Sequence, residues 1–459
     1  MYFELVYDKT LAQASYVIGC QKSGIAAIID PKRDIDTYLK IAEENDLKIT
    51  HILETHIHAD FLCGSRELAK VTGGDLYLSD EGGQDWQYEF PHKGLKNGDI
   101  VKLGNISFEA IHSPGHTPEH LSFLLTDHAA TDKPAMLFTG DFVFVGDVGR
   151  PDLLEEAAGL KGTQEGAAHD LFDSLQEFKE MQDYILLWPA HGAGSACGKA
   201  LGAVNMSTVG YEKIRNWALQ LLDKKDQFTK ELLADQPEPP KYFAMMKKLN
   251  KVDRELRTEV PEIKNLSEAA YNEAKKDGLE IVDCRTQQNY SDHFLKGTLN
   301  IPNNSSFATW MGWFMDYEKD FVLIAPKEET EELARKLMRI GLDNILGYIT
   351  PEQHSQFEKG DFSSYETIDK SAVQDKISDD STQIIDIRGK SEYKEGHIEG
   401  AKNVFIGTLN ENLQEIPKDK EVIIYCGTGK RSAIAYSLLV GEGFDNIFNY
   451  SGGWNEWSK

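Results

Sequence analysis

The first half of the chain alternates short apolar stretches with loops rich in turn-forming residues. Runs of a few aliphatic residues bounded by such loops are typical of buried strands. They occur at 26–29, 49–53, 106–111 and 136–138, and an amphipathic segment at 171–181 has helical spacing. The pattern predicts a mixed α/β domain over residues 1–235.

A group of prolines ends this pattern. Pro237, Pro239 and Pro240 fix backbone dihedrals and lack amide donors, which disfavours both sheet and helix. The segment 235–240 is therefore predicted to be a stiff connector. We place a linker at 236–260, after the first domain.

Two copies of one module follow the linker, offset by roughly 100 residues. The first copy carries Asp283 and Arg285 at the end of an apolar run, and the second carries Asp386 and Arg388 at the matching place. In each copy a strand, a loop and a helix follow one another, an order typical of small parallel sheets. The repeat predicts two α/β domains, at 261–360 and 361–459.

The last module alone has a nucleophile where a buried strand meets a helix. Cys426 lies at that junction, and a helix N-terminus with nearby cations stabilises a thiolate. A buried cysteine is ordinarily inert, but packing does not explain two loop glycines and two adjacent cations. We predict catalytic roles for Cys426, Lys430 and Arg431. Substrate-binding roles are predicted for the other loop residues, Gly427, Thr428, Gly429 and Ser432.

Imidazoles and carboxylates follow several strands of the first domain. Four segments supply them in chain order, with the residues His56, His58, Asp60, His116, Asp141 and His191. Any one of these histidines alone would more often be structural. Together the four segments offer ligands that suit a first-row metal at the edge of a sheet. The sequence therefore predicts a metal site.

Composition and charge narrow the class of protein. The formal net charge of −26 opposes nonspecific binding to phosphate backbones or anionic lipid, which disfavours nucleic acid and membrane partners. No apolar run approaches the roughly 20 residues of a membrane span, and no signal peptide is recognisable, so we expect a cytoplasmic protein. Five cysteines without paired spacing predict free thiols. A homo-oligomer is compatible with the sequence.

The order and flanks of the metal-site segments resemble the metallo-β-lactamase superfamily. The resemblance implies an αββα sandwich, in which two sheets are flanked by helices. The run from Asp141 through Arg150 resembles the persulfide dioxygenase branch, which implies one Fe(II) per chain held by His56, His116 and Asp141. Phe61 stands where two-metal relatives carry another histidine, and it supports a single ion.

Other residues near this site are expected to support the ligands. The resemblance implies that His58, Asp60, His191 and His120 orient the ligands or their bound water. Arg150 either braces its loop by pairing with Asp152 or binds an anionic substrate. Cys197 follows His191 closely and either relays sulfur at the metal pocket or is a small buried residue.

The last module resembles a rhodanese domain, a sulfurtransferase fold in which a cysteine carries a persulfide. The resemblance is carried by Asp386, Arg388 and the Cys426 loop. Related phosphatases place one more residue between the cysteine and Arg431, so the shorter loop fits a single sulfur atom. The central copy has Ala325 in place of the cysteine and resembles a degenerate rhodanese, which we interpret as a spacer or docking domain.

The domain order resembles a persulfide dioxygenase-rhodanese fusion. The implied partners are O2, sulfite and a small thiol persulfide of the glutathione, coenzyme A or bacillithiol type. The persulfide would be oxidised to sulfite and free thiol, and Cys426 would transfer sulfur onto sulfite to give thiosulfate, a sulfide detoxification. One rival interpretation is a zinc-dependent thioester hydrolase of the glyoxalase II type. The other is a non-catalytic sulfur carrier or docking protein.

Overall fold

The computed structural model describes residues 1–153, 162–199, 201–358 and 362–459. They form two compact units, Met1–Val260 with Met338–Gly341 and Pro261–Leu337 with Leu342–Lys459. The predicted division between the two repeated modules, at 360/361, lies outside the described residues. Within the described ranges, no helix combines the length and apolar character needed to cross a bilayer.

The first unit contains two six-stranded sheets. Their strand orders are β1-β2-β3-β4-β5-β6 and β12-β11-β10-β9-β8-β7. The strands of the first sheet are β1 Tyr2–Asp8, β2 Gln13–Cys20, β3 Ile25–Ile29, β4 Lys48–Leu53, β5 Asp75–Ser79 and β6 Lys93–Leu95. Those of the second are β7 Ile100–Leu103, β8 Ile106–His112, β9 Leu121–Asp127, β10 Met136–Gly140, β11 Leu186–Pro189 and β12 Ser207–Thr208.

The two sheets pack face to face, and helices cover their outer faces. Tyr16 and Ile18 of the first sheet share one buried cluster with Phe108, Phe123 and Phe138 of the second. Two further clusters lie between sheets and helices. The helices are Asp36–Glu44, Ser65–Thr72, Gln164–Glu180, Val209–Arg215, Lys225–Leu233 and Tyr242–Lys251, with short 3-10 turns at Gln84–Trp86 and Leu219–Leu221. The predicted αββα sandwich is confirmed.

The segment expected to be a linker differs from the prediction, because it contains the helix Tyr242–Lys251. Buried residues recur there at helical spacing, at Tyr242, Phe243, Met246 and Asn250. The side-chain amide of Asn250 donates to the backbone oxygens of His58 and Phe61, each at 2.8 Å. The prolines end before this helix begins, and the helix supports the loop after β4.

The second unit contains two small parallel sheets, as predicted. Their orders are β14-β13-β15-β16 and β17-β21-β20-β18-β19. The strands are β13 Glu280–Asp283, β14 Leu299–Asn300, β15 Phe321–Ile324, β16 Ile345–Ile349, β17 Thr367–Ile368, β18 Thr382–Asp386, β19 Lys402–Asn403, β20 Glu421–Tyr425 and β21 Ile447–Tyr450. The helices are Glu268–Lys276, Gln287–Asp292, Phe307–Phe314, Thr330–Arg339, Pro351–Phe357, Lys370–Lys376, Lys390–Glu395, Lys430–Gly441 and Gly453–Trp457, and 3-10 turns occur at Lys327–Glu329, Ile406–Glu411 and Leu413–Glu415.

The repeat is visible in matching side-chain contacts. Arg285 pairs with Asp283, and Arg388 pairs with Asp386, each with a closest distance of 2.6 Å. Each guanidinium also donates to a backbone oxygen eight residues further along the chain. In both modules this contact ties the end of a strand to the end of the helix that follows it.

The two modules of this unit pack together along the helix Lys430–Gly441. The hydroxyl of Ser437 accepts a hydrogen bond from the amide of Asn300 at 3.0 Å. The ring of Tyr436 meets the ring of Phe294 in the central module edge to face, with centroids 6.2 Å apart. The helix that begins at the Cys426 loop is therefore fixed against the central module.

Candidate functional site

Strand ends bring the three predicted metal ligands together. His56 follows β4, His116 lies between β8 and β9, and Asp141 follows β10. Nε2 of His116 lies 3.5 Å from Oδ2 of Asp141, and Nε2 of His56 lies 4.0 Å from the same oxygen. The three ligand atoms lie within 4.8 Å of one another, and all three residues are buried.

The donor atoms of this cluster lack partners within the described part of the chain. Nε2 of His56 and both carboxylate oxygens of Asp141 are buried without a hydrogen bond. Buried polar atoms without partners are costly, so such atoms normally bind something. Two imidazoles and one carboxylate are ligands that suit ferrous iron or zinc. The residues present therefore fit a metal ion.

Burial sets the protonation of the ligands. It lowers the pKa of His56 and of His116 below the ordinary histidine value, which keeps both rings neutral and able to ligate. Burial acts to raise the pKa of Asp141, but the neighbouring histidines, led by His191, lower it overall. The cluster therefore combines two neutral rings with one carboxylate.

Two glycines let the backbone approach this cluster closely. Gly140 has a φ of +50°, and a Cβ there would lie 2.5 Å from Nε2 of His120. A Cβ at Gly149 would lie 1.8 Å from the backbone oxygen of Asp141. A larger residue at either position would displace the ligand loop.

His120 supports the carboxylate ligand through its backbone. Its Nε2 accepts a hydrogen bond from the amide of Asp141 at 3.1 Å, and its Nδ1 contacts the hydroxyl of Ser113 at 2.8 Å. The ring also stacks on His56 with centroids 5.0 Å apart. His120 therefore lies where it can orient two of the three ligands.

His58 lies beside His56, with ring centroids 4.1 Å apart, and a carboxylate outside the cluster holds it. Its Nε2 lies 3.1 Å from Oδ1 of Asp30, a carboxylate that also accepts hydrogen bonds from the amide and hydroxyl of Thr55. Burial acts to lower the pKa of His58, but Asp30 raises it overall to about 9. The ring packs on Phe61 with centroids 4.4 Å apart. His58 thus fastens the ligand loop to the end of β3.

A second group of potential ligands lies beside the first. It consists of Asp60, His191 and Cys197, whose ligand atoms also lie within 4.8 Å of one another. Nε2 of His191 is 3.3 Å from Oδ2 of Asp60 and 3.4 Å from Oδ1 of Asp141, so the two groups are continuous. Burial raises the pKa of the Cys197 thiol well above its ordinary value. The distances therefore place Cys197 beside the cluster of His56, His116 and Asp141.

Arg150 has its donors directed to protein groups. It pairs with both carboxylate oxygens of Asp152, at 2.8 and 2.5 Å. Its Nη1 donates to the backbone oxygens of Ala196 and Pro237 at 3.1 and 2.8 Å. The backbone oxygen of Arg150 lies 2.9 Å from Nδ1 of His116. Of the two roles predicted for Arg150, these contacts favour bracing.

Cys426 lies between β20 and the helix Lys430–Gly441. Gly429 caps this helix with a φ of +79°, and the Ser432 hydroxyl lies 3.7 Å from the cysteine Sγ. The cysteine is buried, whereas Thr428 and Lys430 are exposed. The predicted nucleophile therefore lies at the start of a three-turn helix, with its loop facing solvent.

The last helix of the chain holds the carbonyls of the Cys426 loop. The amide of Trp454 donates to the Cys426 oxygen at 2.8 Å, and the amide of Asn455 donates to the Gly427 oxygen at 3.0 Å. Gly453 has a φ of +60°, and a Cβ there would lie 2.4 Å from the Cys426 oxygen. The loop shape thus depends on glycine at position 453.

Arg431 is held by a carboxylate from the helix Lys390–Glu395. Both of its terminal nitrogens bond to Glu392, at 2.6 and 2.7 Å. Arg431 also interacts electrostatically with Cys426, and Glu392 has a pKa below its ordinary value despite burial because Arg431 pairs with it. The paired guanidinium is therefore fixed beside the nucleophile.

The central module has lost this arrangement. Ala325 is buried at the position of the nucleophile, and the following segment is the 3-10 turn Lys327–Glu329. Pro326 has no amide to offer an anion. Cys284 follows β13 instead, and burial raises the pKa of its thiol well above the ordinary value.

The sequence prediction missed three residues with supporting contacts: Asp30, Glu392 and Gly453. Asp30 directly follows β3, so the reasoning that selected Asp141 after β10 could have found it. Glu392 lies in the helix Lys390–Glu395, and nothing in the local sequence showed that its partner is Arg431. The local sequence does not show that position 453 requires glycine, because the requirement comes from the backbone oxygen of Cys426, which is distant in the chain.

Two family models match the chain. The metallo-beta-lactamase superfamily matches residues 9–191, and the rhodanese-like domain matches residues 369–459. A crystal structure of a metallo-beta-lactamase from Staphylococcus aureus subsp. aureus COL is 42% identical with a TM-score of 0.72, and the match covers 76% of this chain and 99% of that chain.

Characterised relatives of the first domain include two different kinds of enzyme. Persulfide dioxygenase ETHE1 of Bos taurus is 31% identical over 186 residues, which cover 39% of this chain and 63% of that protein. Hydroxyacylglutathione hydrolase GloC of Haemophilus influenzae is 29% identical over 192 residues, which cover 38% of this chain and 83% of that protein. The chain belongs to the metallo-β-lactamase superfamily, as a fusion of a domain with persulfide dioxygenase relatives to a C-terminal rhodanese-like domain.

Proposed function

We propose that this chain oxidises a small thiol persulfide with O2 to sulfite, and that Cys426 then transfers sulfur onto sulfite to form thiosulfate. The observation that carries the proposal is the presence of two sites in one chain. One is the buried cluster of His56, His116 and Asp141 with unpartnered donor atoms. The other is a cysteine held at a helix N-terminus. The persulfide would be of the glutathione, coenzyme A or bacillithiol type.

His56, His116 and Asp141 would hold one Fe(II). Ferrous iron, when bound, supplies the redox chemistry that activates dioxygen, which zinc lacks. The protein keeps the two imidazoles neutral by burial, and His120 and the backbone of Arg150 orient Asp141 and His116. One persulfide, one dioxygen and one water would give one free thiol, one sulfite and two protons.

The transfer step would use the thiolate of Cys426. It attacks the outer sulfur of a second persulfide, the S–S bond breaks, and the carrier leaves as a thiol. Sulfite then attacks the outer sulfur on Cys426, which gives thiosulfate and restores the thiolate. The helix N-terminus and Arg431 stabilise the anionic sulfur at each stage. The coupled reactions would detoxify sulfide.

Replacing the nucleophile separates the two activities. We expect Cys426→Ser to abolish thiosulfate formation from persulfide and sulfite, while oxygen uptake with the same persulfide stays at the unmodified rate. The matched control is Cys20→Ser, since Cys20 is a buried cysteine whose hydrogen bonds a serine hydroxyl can keep. Thiosulfate formation by Cys426→Ser would refute the assigned nucleophile. Loss of oxygen uptake in the same variant would refute the proposal that the two sites act independently.

A zinc-dependent thioester hydrolase is the second candidate, favoured by the hydrolase relatives and by the ligand group Asp60, His191 and Cys197. Metal analysis of the purified protein together with an oxygen electrode distinguishes the two. Our proposal requires iron and oxygen uptake with glutathione or coenzyme A persulfide. Zinc, no oxygen uptake and hydrolysis of S-lactoylglutathione would establish the hydrolase. A sulfur carrier or docking protein would show neither activity.

A further inference from the structure

Two cavities in the second unit meet beside the Cys426 loop. The smaller, about 220 Å³, is lined by Thr428 and Arg431 of the last module and by Trp310 of the central module. The larger, about 600 Å³, lies over the strand ends of the central module. The cavities are adjacent, because both are lined by Gln287, Pro302, Asn304 and Lys430.

The larger cavity occupies the place where the central module would bind sulfur if it were active. Pro326 and Glu329, from the counterpart of the Cys426 loop, line it. Glu329 stands where the active loop has Lys430, and Ala325 stands where it has the cysteine. The module has therefore lost its nucleophile and its attraction for anions. The space remains, within the range of about 300–1,000 Å³ typical of small-molecule sites.

The lining of the larger cavity suits a polar ligand that carries both signs of charge. Side-chain amides come from Gln287, Asn289, Asn303 and Asn304. Carboxylates come from Asp292, Glu329 and Glu352. The cations are Lys430 and Arg285, and Arg285 is already paired with Asp283. Carboxylates thus outnumber cations, which favours an ammonium group and disfavours a ligand with several phosphates.

We propose that the larger cavity binds the carrier tail of an amino-acid-derived thiol persulfide, while the outer sulfur reaches Cys426 through the smaller cavity. This inference rests on the proposed sulfur transfer and names its substrate class. An amino-acid-derived thiol carries an ammonium group and carboxylates, which match the mixed lining. Coenzyme A carries several phosphates, which the carboxylates of Asp292, Glu329 and Glu352 repel.

With this arrangement, the two steps of sulfur transfer need different cavities. These steps are the loading of Cys426 by a persulfide and the transfer of its sulfur to a small acceptor. The persulfide that loads Cys426 has a tail, and that tail leaves with the carrier thiol once the S–S bond breaks. Sulfite, cyanide and thiosulfate are small and have no tail, so they need only the smaller cavity. Changes in the larger cavity should therefore alter loading by a persulfide and leave reactions with small donors and acceptors unchanged.

The test blocks the larger cavity in the full-length protein. Asn289 lines it from the exposed face of the helix Gln287–Asp292, and Asn289→Trp would fill it. Thiosulfate formation from glutathione persulfide and sulfite is measured without oxygen, so that only transfer is observed. We expect KM for glutathione persulfide to rise about tenfold with kcat unchanged, since binding contacts are lost and chemistry is not. Thiocyanate formation from thiosulfate and cyanide should be unchanged.

Two further variants complete the test. Gln288→Trp places the same side chain one residue away on the same helix, outside the cavity lining, and should behave like the unmodified protein. Glu352→Lys reverses one wall charge and should shift preference from glutathione persulfide toward coenzyme A persulfide. Unchanged KM values and unchanged preference, with active thiosulfate-to-cyanide transfer, would overturn this inference alone. Failure of every donor to load Cys426 would overturn the proposed transfer and this inference together.

Discussion

At the scale of single residues, side chains outside the cluster of predicted metal ligands hold those ligands in place. Asp30 holds the ring of His58, and His120 holds the backbone of Asp141. Arg150 connects the segments of His116 and Cys197. The geometry of the cluster therefore depends on residues outside it, as is usual for metal sites.

Arg150→Lys tests this bracing. A lysine cannot form the paired contact with Asp152 while also reaching two backbone oxygens, so we expect a loss of about 2 kcal/mol in unfolding free energy and reduced iron content. Denaturant unfolding and metal analysis measure both. Arg215→Lys, at an exposed arginine, is the control. Normal stability with a raised KM for persulfide would show that Arg150 binds substrate instead.

At the scale of elements, the Cys426 loop depends on the helix Gly453–Trp457. The two amides at the start of that helix hold the loop carbonyls, and the carbonyl of Cys426 approaches Gly453 too closely for a side chain. Loop, strand β20 and terminal helix therefore form one assembly. Its shape decides whether the cysteine lies at the helix N-terminus.

Gly453→Ala should reduce thiosulfate formation at least about tenfold, because the added methyl group pushes the Cys426 carbonyl and rotates the nucleophile. Oxygen uptake should be unchanged. Gly443→Ala is the matched control, since Gly443 also has a positive φ but nothing lies within 4 Å of an added Cβ. It should cost about 1 kcal/mol of stability and leave transfer intact. Equal loss of transfer in both variants would show that the close approach of the Cys426 carbonyl to Gly453 does not determine transfer activity.

Periodicity predicted the mixed α/β first domain and the duplicated modules, and the order of the strand-end motifs predicted a group of potential metal ligands, because these depend on local sequence. The sandwich and the choice of three ligands came from the family resemblance. The direction of a side chain depends on neighbours distant in the chain. His58 was expected to orient the ligands or their bound water, but no local pattern showed that its partner is Asp30. The helix Tyr242–Lys251 was missed because the prolines before it dominated the local pattern. Glu392 was missed because its partner Arg431 lies 39 residues away.

At the scale of the whole molecule, the chain divides into two compact units with one predicted site in each. The predicted metal ligands lie in the first unit, and Cys426 lies in the second. Ligand binding stabilises only the folded unit that contains the site. Metal removal should therefore lower the stability of the first unit alone.

Treatment with a chelator should lower the unfolding temperature of the first unit by about 5 °C or more, because unpartnered buried donors are left behind. The transition of the second unit and thiosulfate-to-cyanide transfer should be unchanged. Calorimetry with and without chelator measures the two unfolding temperatures. In the control variant Asp141→Asn, the chelator should no longer change the unfolding temperature of the first unit. A shift of both transitions, or of neither, would contradict the assignment of the metal to the first unit.

The contacts of Asn250 bear on any attempt to express the first unit by itself. A truncation after residue 235 would look natural from the prolines, but it would remove the amide that secures the backbone of His58 and Phe61. Such a fragment should have a disordered loop after β4 and a lower metal content than the full-length protein. A stop codon placed after Val260 keeps the support from Asn250 but still removes Met338–Gly341, which belong to the first unit.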